Sequence, residues 1–189
     1  MITLHCTKKL LVKLPLDESG QWPASAESHN SALTSAANQT FFAGNPLDNW
    51  HANLLSVQRR NCVLLVHNQT RFPLLLTCLV KKDFANFPLL FEDALLNTLL
   101  KLGANQTQLE AATKCLDTLV CNNQCDRSVQ GSMNQMAKEI EHSLYYNQAK
   151  IVDASAYRLG AWLADSPRSI KGQKDYIWPH KAMLSLLDN

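Results

Sequence analysis

The segment WHANLLSVQRRNCVLLVHNQTRFPLLLTCL, residues 50–79, decides the fold that the sequence predicts. It holds three apolar runs that are separated by the short polar breaks RRN and NQT. Apolar runs bounded by tight polar breaks are typical of strands joined by hairpin turns. Pro73 cannot donate a ladder hydrogen bond, so the third strand should lie at a sheet edge there or begin after this residue. The segment therefore predicts a three-strand antiparallel meander.

The middle run predicts how this sheet is covered. Residues 63–66 are apolar at every position, which is typical of a strand buried on both faces. Two further strands are predicted outside the meander, one at residues 2–6 and one at residues 118–122. The predicted fold class is therefore α+β. It consists of a small, mostly antiparallel sheet (an N-terminal strand, the three-strand meander and one late strand) with helices packed against it.

Helices are predicted where apolar residues recur at helical spacing between capping and stop signals. The clearest example is the stretch NFPLLFEDALLNTLLKLG, where Pro88 occupies the first turn and Gly103 ends the helix. Shorter helices are expected at residues 8–14 and 106–116. Another helix opens at Asp126. The C-terminal segment, 153–189, should hold two more helices, starting at Asp153 and at Pro179.

Length and composition bound the class of protein. The 189 residues suit one domain spanning 1–189, with a long loop at 16–46 that has no sustained hydrophobic period. A net charge of +2 does not by itself indicate a nucleic-acid-binding protein. The N-terminus lacks the pattern of a secretory signal, and no apolar run is long enough for a membrane span, so a cytoplasmic protein with no membrane partner is expected.

The motifs of common catalytic and cofactor sites are missing from the sequence. The pair Cys121 and Cys125 has the spacing of half a zinc site, but no second pair accompanies it, so no metal site is predicted. There is no glycine-rich phosphate loop, and no nucleotide or other cofactor is predicted. The sequence around Ser132 predicts a helix, and it lacks the motif of a nucleophile elbow. No catalytic residue is assigned.

The helix opening at Asp126 contains the stretch CDRSVQGSMNQM, residues 125–136, in which Gly131 is unusual. At 100° per residue, an apolar stripe at 129, 133, 136, 140 and 144 lies opposite Gly131. A solvent-exposed glycine inside a helix costs about 1 kcal/mol relative to alanine. We therefore expect another group to approach the backbone here. The predicted binding surface consists of Arg127, Ser128, Gly131, Asn134 and Lys138.

Three blocks of the sequence together resemble a known family. These blocks are CTKKLL, then NWHANLLSVQRRNCVLLVHNQTRFPLL with VKKDFANFPLLF, then DRSVQGSMNQM. In this order they are similar to an uncharacterised bacterial family that is defined only as a domain of unknown function. The resemblance covers most of the chain except the 16–46 loop and the extreme C-terminus. It implies a bacterial origin and a single cytoplasmic domain, and it carries no assigned reaction and no catalytic residues.

Two functions follow as expectations. The first is a non-enzymatic binding or regulatory protein that uses the polar face of the helix starting at Asp126, with the basic residues at 168–174 as an extension. The alternative is a small enzyme acting on nucleic acid or a phosphorylated substrate, in which Arg127 holds the anion and His51, His67 or His142 transfers protons. The partner is left open between protein and nucleic acid, and a homo-oligomer is compatible with the sequence.

Overall fold

The computed structural model describes residues 1–23, 44–170 and 175–188, and within them it shows an α+β fold built on one five-stranded sheet. The strand order across the sheet is β4-β3-β2-β1-β5. The strands are β1 (Ile2–Cys6), β2 (Trp50–Val57), β3 (Arg60–His67), β4 (Pro73–Leu79) and β5 (Leu119–Asn122).

The meander predicted from residues 50–79 is confirmed. β2 pairs antiparallel with β3, and β3 pairs antiparallel with β4, which begins at Pro73 and lies at the edge of the sheet. The β2–β3 turn begins one residue earlier than the RRN break at residues 59–61. Gln58 and Arg59 both adopt a positive φ, of 47° and 64°. A two-residue hairpin turn requires positive φ at both positions if its twist is to match that of the strands.

The prediction of a mostly antiparallel sheet was wrong, because the sheet is mixed. β1 lies between β2 and β5 and runs parallel to both. Parallel neighbours need long crossover connections, and the chain supplies one between β1 and β2. After β4 the chain crosses to the opposite edge of the sheet, where β5 pairs with β1. Hydrophobic periodicity identifies a strand but not its neighbour, so the pattern alone did not reveal this arrangement.

Seven α-helices lie within the described residues. They are α1 (Lys8–Leu11), α2 (Lys81–Ala85), α3 (Phe87–Lys101), α4 (Gln106–Cys115), α5 (Arg127–Tyr146), α6 (Ala156–Ala164) and α7 (Pro179–Leu187). The short α2 was not predicted. The helix expected from Asp153 instead begins at Ala156, capped by Ser155, after a single 3-10 turn over Ile151–Asp153. α1 is shorter than the predicted 8–14.

Helices cover both faces of the sheet, as the apolar residues 63–66 indicated. Val63 and Leu65 belong to the larger core, which includes α3, α4 and α7 residues. Leu64 and Val66 face the second core, formed largely by the apolar stripe of α5 and by Leu163 of α6. α5 therefore packs on one face of the sheet, over β2 and β3.

The long loop predicted at 16–46 is described only at its two ends, because residues 24–43 lie outside the described residues. At its start, Trp22 stacks on Phe87 with ring centroids 5.6 Å apart, and its indole N–H donates to the carbonyl of Phe84 at 2.9 Å. No helix among the described residues is long and apolar enough to cross a membrane.

Candidate functional site at the start of α5

α5 begins at a side-chain cap and has one buried face. The Asp126 carboxylate accepts hydrogen bonds from the backbone N–H groups of Ser128, at 2.7 Å, and Val129, at 3.0 Å. This cap satisfies two of the N–H groups that the first helical turn leaves free. The predicted apolar stripe is buried throughout, and it comprises Val129, Met133, Met136, Ile140 and Leu144.

The predicted binding residues occupy the opposite side of α5. Arg127, Gly131, Asn134 and Lys138 are all exposed, while Ser128 is half-buried. Apart from its chain neighbours and the adjacent backbone of α5, no atom of the described residues lies within 4 Å of the position that a Cβ on Gly131 would take. Packing among the described residues therefore does not require this glycine. Whether the five residues bind a partner stays a prediction.

A small recess adjoins this exposed face. It has a volume of about 190 Å³, and its walls come from the end of β1, from β2 and from the first turns of α5. The lining residues are Thr7, Asn53, Gln130, Met133 and Asn134. The Thr7 hydroxyl donates to Asn53 Oδ1 at 3.0 Å, which holds the two strand side chains together. Four of the five lining side chains are polar and uncharged, so the recess suits hydrogen-bonding groups.

The strand register brings two histidines together beneath the start of α5. His5 is paired with Asn122 on one side and with His51 on the other, so the three side chains lie in one row on one face of the sheet. The two imidazole centroids are 4.8 Å apart. His5 is held at both ring nitrogens, with Nδ1 2.8 Å from Asn122 Oδ1 and Nε2 3.1 Å from Asn49 Oδ1.

His51 is fixed in one tautomer by the helix start. Its Nε2 accepts a hydrogen bond of 2.9 Å from the backbone N–H of Asp126, so the neutral ring carries its proton on Nδ1. That Nδ1 is buried and has no hydrogen-bond partner. Burial, together with electrostatic effects of His5 and Arg71 that the charge of Asp126 partly opposes, lowers the pKa of His51 to about 4. His51 is therefore a neutral hydrogen-bond donor at neutral pH.

Arg71 is a buried cation at the same place. Arg71 is 5% exposed and has a positive φ of 57°. It comes directly after the turn that follows β3. The guanidinium donates to the carbonyl of Asn68 and, at 3.4 Å, to the Ser128 hydroxyl in the first turn of α5. Its Nε has no partner, and no carboxylate of the described residues lies within 4.0 Å of it. Burial lowers the pKa of Arg71, and the charge of Asp126 opposes this effect.

The histidines named for the enzymatic alternative do not share one location. Because Trp50, not His51, is the register partner of His67, the side chains of His51 and His67 point to opposite faces of the sheet. His67 is instead hydrogen-bonded to Thr70 and to the carbonyl of Asp48. His142 packs against Tyr146 near the far end of α5.

The proposed extension over residues 168–174 needs correction at Arg168. This residue is buried and donates two hydrogen bonds to the Glu139 carboxylate, at 2.6 and 2.7 Å. It therefore ties the segment before α7 to α5 and is not part of a basic surface. Residues 171–174 lie outside the described residues.

Sequence reasoning missed His5, Arg71 and Asp126 as members of one polar group. The cap at Asp126 was recognisable, but nothing in the local pattern near Arg71 distinguishes it from an ordinary turn arginine. Its burial depends on α5 packing over the end of β3. Among the described residues, no three His, Cys, Asp or Glu side chains gather as a metal site requires.

Comparison with models of protein families gives a match. A family model described as a domain of unknown function, DUF6933, matches residues 3–182. No curated protein and no solved structure matches the chain. The resemblance to an uncharacterised domain family is therefore confirmed, while the bacterial origin that it implied stays a prediction. Since the match spans nearly the whole sequence, the chain belongs to the DUF6933 family.

Proposed function

We propose that this domain is a non-enzymatic binding module that takes a protein partner on the exposed face of α5. The observation that carries the proposal is the open space over Gly131. An exposed mid-helix glycine lowers helix stability, and no described residue packs against it. A partner that approaches the helix backbone closely would account for the residue.

The recess that Asn134 shares with the exposed face supports a polypeptide as the partner. Asn53, Gln130 and Asn134 bring amide groups to one small concave site with the Thr7 hydroxyl. Amide and hydroxyl groups match the donors and acceptors of a peptide backbone. A site of this kind orients a bound peptide through hydrogen bonds, and its affinity for the peptide depends little on charge.

The charge of the face also favours protein over nucleic acid. Arg127 and Lys138 are accompanied on α5 by Asp126 and Glu141, so these four formal charges cancel. Glu139 is already paired with Arg168. Binding to a phosphate backbone normally requires a clustered basic face, because affinity comes from neutralising several phosphates.

A photo-crosslinking experiment tests the proposal directly. A photoreactive amino acid is placed at Asn134 in the full chain, and at exposed Glu141 in a matched control, and both are irradiated in host extract treated with nuclease. We expect a discrete protein adduct from position 134 only. Gly131→Leu should abolish that adduct, and Gly131→Ala should weaken it, since even one methyl group occupies the space that a close approach to the helix backbone requires.

Stability measurements complete the test. Because the space over Gly131 is open, Gly131→Leu should melt no lower than the wild-type chain. Equal adducts from positions 134 and 141, or loss of the adduct together with loss of folding, would contradict the proposal. An adduct of twice the chain mass identifies the partner as a second copy. An adduct that forms only in a parallel extract without nuclease treatment excludes a protein partner.

A further inference from the structure

We infer that the end of the sheet at the β2–β3 hairpin binds single-stranded nucleic acid, through clustered cations and exposed tyrosine rings. We call this part of the protein the hairpin-end surface, and it consists of Arg59, Arg60, Lys81, Lys82, Lys150, Tyr145 and Tyr146. Gly131 lies in the second turn of α5, whereas both tyrosines lie in its last turn, about 20 Å further along the helix axis. The surface is therefore separate from the space over Gly131, and the inference goes beyond the proposed function.

The register of the sheet brings four of the cations together. β3 begins at Arg60, directly after Arg59 in the hairpin turn. The first residues of β3 pair with the end of β4 at Leu79. α2 then opens with Lys81 and Lys82. All four basic residues are exposed, so the pairing of β3 with β4 gathers four positive charges at the hairpin end of the sheet.

The segment that follows α5 is hydrogen-bonded to the same hairpin. The side-chain amide of Gln58, in the turn, donates to the carbonyl of Ala149 at 3.0 Å. Its oxygen accepts a hydrogen bond of 2.8 Å from the N–H of Ile151. The exposed Lys150 lies between these two residues, and α5 ends at Tyr146, shortly before Ala149. These hydrogen bonds therefore bring a fifth cation and the last turn of α5 to the hairpin.

The five cations outnumber the acidic residues beside them. No carboxylate of the described residues lies within 4.0 Å of their charged groups. The acidic residues next to them along the chain are Asp83, whose carboxylate accepts from the N–H of Val80, and Asp153. Five positive formal charges thus accompany two negative ones. A clustered basic face of this kind favours binding to a phosphate backbone, because the affinity comes from neutralising several phosphates.

The two tyrosines indicate the kind of nucleic acid. Tyr145 is 81% exposed and Tyr146 is 71% exposed, so neither ring is used in the core. Aromatic rings beside cations form stacking platforms for unpaired bases. The bases of a duplex are already stacked on one another, and an acidic polypeptide has no bases to stack. Cations together with exposed rings therefore favour a single strand over both of these partners.

The test is fluorescence anisotropy of the full chain with fluorescein-labelled RNA and DNA single strands of mixed sequence, about 20 nucleotides long. We expect saturable binding of at least one strand. The logarithm of the affinity should fall with the logarithm of the sodium chloride concentration at a slope of about −2 to −3.5, as three to five phosphate contacts require. The absence of saturable binding to either strand overturns the inference.

Competitors decide the class of partner. The unlabelled single strand should displace the probe, whereas its duplex, polyglutamate and phosphatidylserine vesicles should each be at least about tenfold less effective at equal charge concentration. Equal or better displacement by polyglutamate would indicate an acidic protein partner, and by the vesicles an anionic membrane surface. Either result, or equal displacement by the duplex, overturns the inference.

Charge variants locate the phosphate contacts. Arg59→Asn/Arg60→Gln removes two charges and keeps the hairpin turn, because asparagine adopts a positive φ readily. It should weaken binding about tenfold or more and make the salt slope shallower by about 1.4. Lys101→Gln/Lys114→Gln is the matched control, since it removes two exposed charges outside the surface, and it should weaken binding less than about threefold. Equal weakening by the two double variants overturns the inference.

Tyrosine variants test stacking apart from charge. Tyr145→Leu/Tyr146→Leu should weaken binding at least about fivefold with the salt slope unchanged, while Tyr145→Phe/Tyr146→Phe should retain it, since phenylalanine keeps the aromatic ring. Equal binding by these two variants would show that no base stacks there. Gly131→Leu, on the proposed protein-binding face, should bind the labelled strand like the wild-type chain. Loss of binding in that variant would place the nucleic acid elsewhere on α5 and overturn the inference.

Discussion

The imidazole of His51 accepts a hydrogen bond from the backbone N–H of Asp126, 2.9 Å away, and this contact joins the sheet to the start of α5. It uses a backbone donor that the Asp126 side chain does not satisfy. It also fixes which ring nitrogen of His51 carries the proton. A strand side chain thereby contributes to the organisation of the helix start, while its own Nδ1–H is buried without an acceptor among the described residues.

His51 should remain neutral, with its proton on Nδ1, down to a pH of about 4, where burial has lowered its pKa. Long-range ¹H–¹⁵N correlation spectra of the imidazoles check this directly. The Nδ1 signal should have the shift of a protonated ring nitrogen and Nε2 that of an acceptor, unchanged between pH 7.5 and pH 5.5. If His51 became protonated at the same pH as the histidine of an unstructured model peptide, the assignment would be contradicted.

The free energy of unfolding should fall as the pH falls from about 6.5 to about 4. Burial lowers the pKa values of His51 and His67 from 6.5 to about 4. The unfolded chain therefore binds more protons than the folded chain within this window, so acid favours unfolding. For each histidine the full difference corresponds to about 3 kcal/mol.

Denaturant unfolding at several pH values between 7.5 and 4.5 measures this dependence. His67→Gln should reduce the slope of stability against pH, whatever its effect on stability at pH 7.5. An equal slope in the wild-type chain and His67→Gln would show that His67 does not titrate with a lowered pKa.

Gly131→Ala should raise the free energy of unfolding by up to about 1 kcal/mol, because alanine is the better helix former and its methyl group enters open space. Gly20→Ala is the contrasting variant. Gly20 has a φ of 77°, and a Cβ there would clash with the carbonyl oxygen of Cys121, so this variant should be destabilised. Thermal and denaturant melts measure both. A destabilised Gly131→Ala would mean that the helix backbone is contacted within the folded chain.

Glu139→Ala should destabilise the protein by about 2–4 kcal/mol, because it leaves the buried guanidinium of Arg168 without its carboxylate. The double variant Glu139→Leu/Arg168→Met removes both charges and should recover much of the loss. Glu141 is exposed and lies two residues after Glu139 on α5. Glu141→Ala should therefore change the free energy of unfolding by less than about 0.5 kcal/mol. Denaturant unfolding of all three chains checks the prediction, and equal stability of the double and single variants would contradict it.

Local patterns account for much of what could be predicted from the sequence. The meander of β2, β3 and β4 follows from apolar runs and tight turns between adjacent segments. The buried stripe of α5 follows from its helical spacing, and the Asp126 cap follows from the residue type. These features depend on residues only a few positions apart, so their pattern is visible in the linear sequence.

Long-range pairing decided the rest of the fold and most of the candidate site. β1 takes its place between β2 and β5 through contacts over more than a hundred residues of chain, as the register of His5 with Asn122 shows. The register of β1 with β2 places His5 beside His51, and the packing of α5 over the sheet buries Arg71. Local sequence around Arg71 carries no sign of this burial.

The sequence by itself determined the type of each main element and which face of α5 is buried, because hydrophobic spacing and capping act over one or two turns. Only the tertiary structure decided that the sheet is mixed. It also joined His51 and Arg71 to the first turn of α5. The physical reason is that strand order and the burial of a single side chain depend on which distant segments share one core.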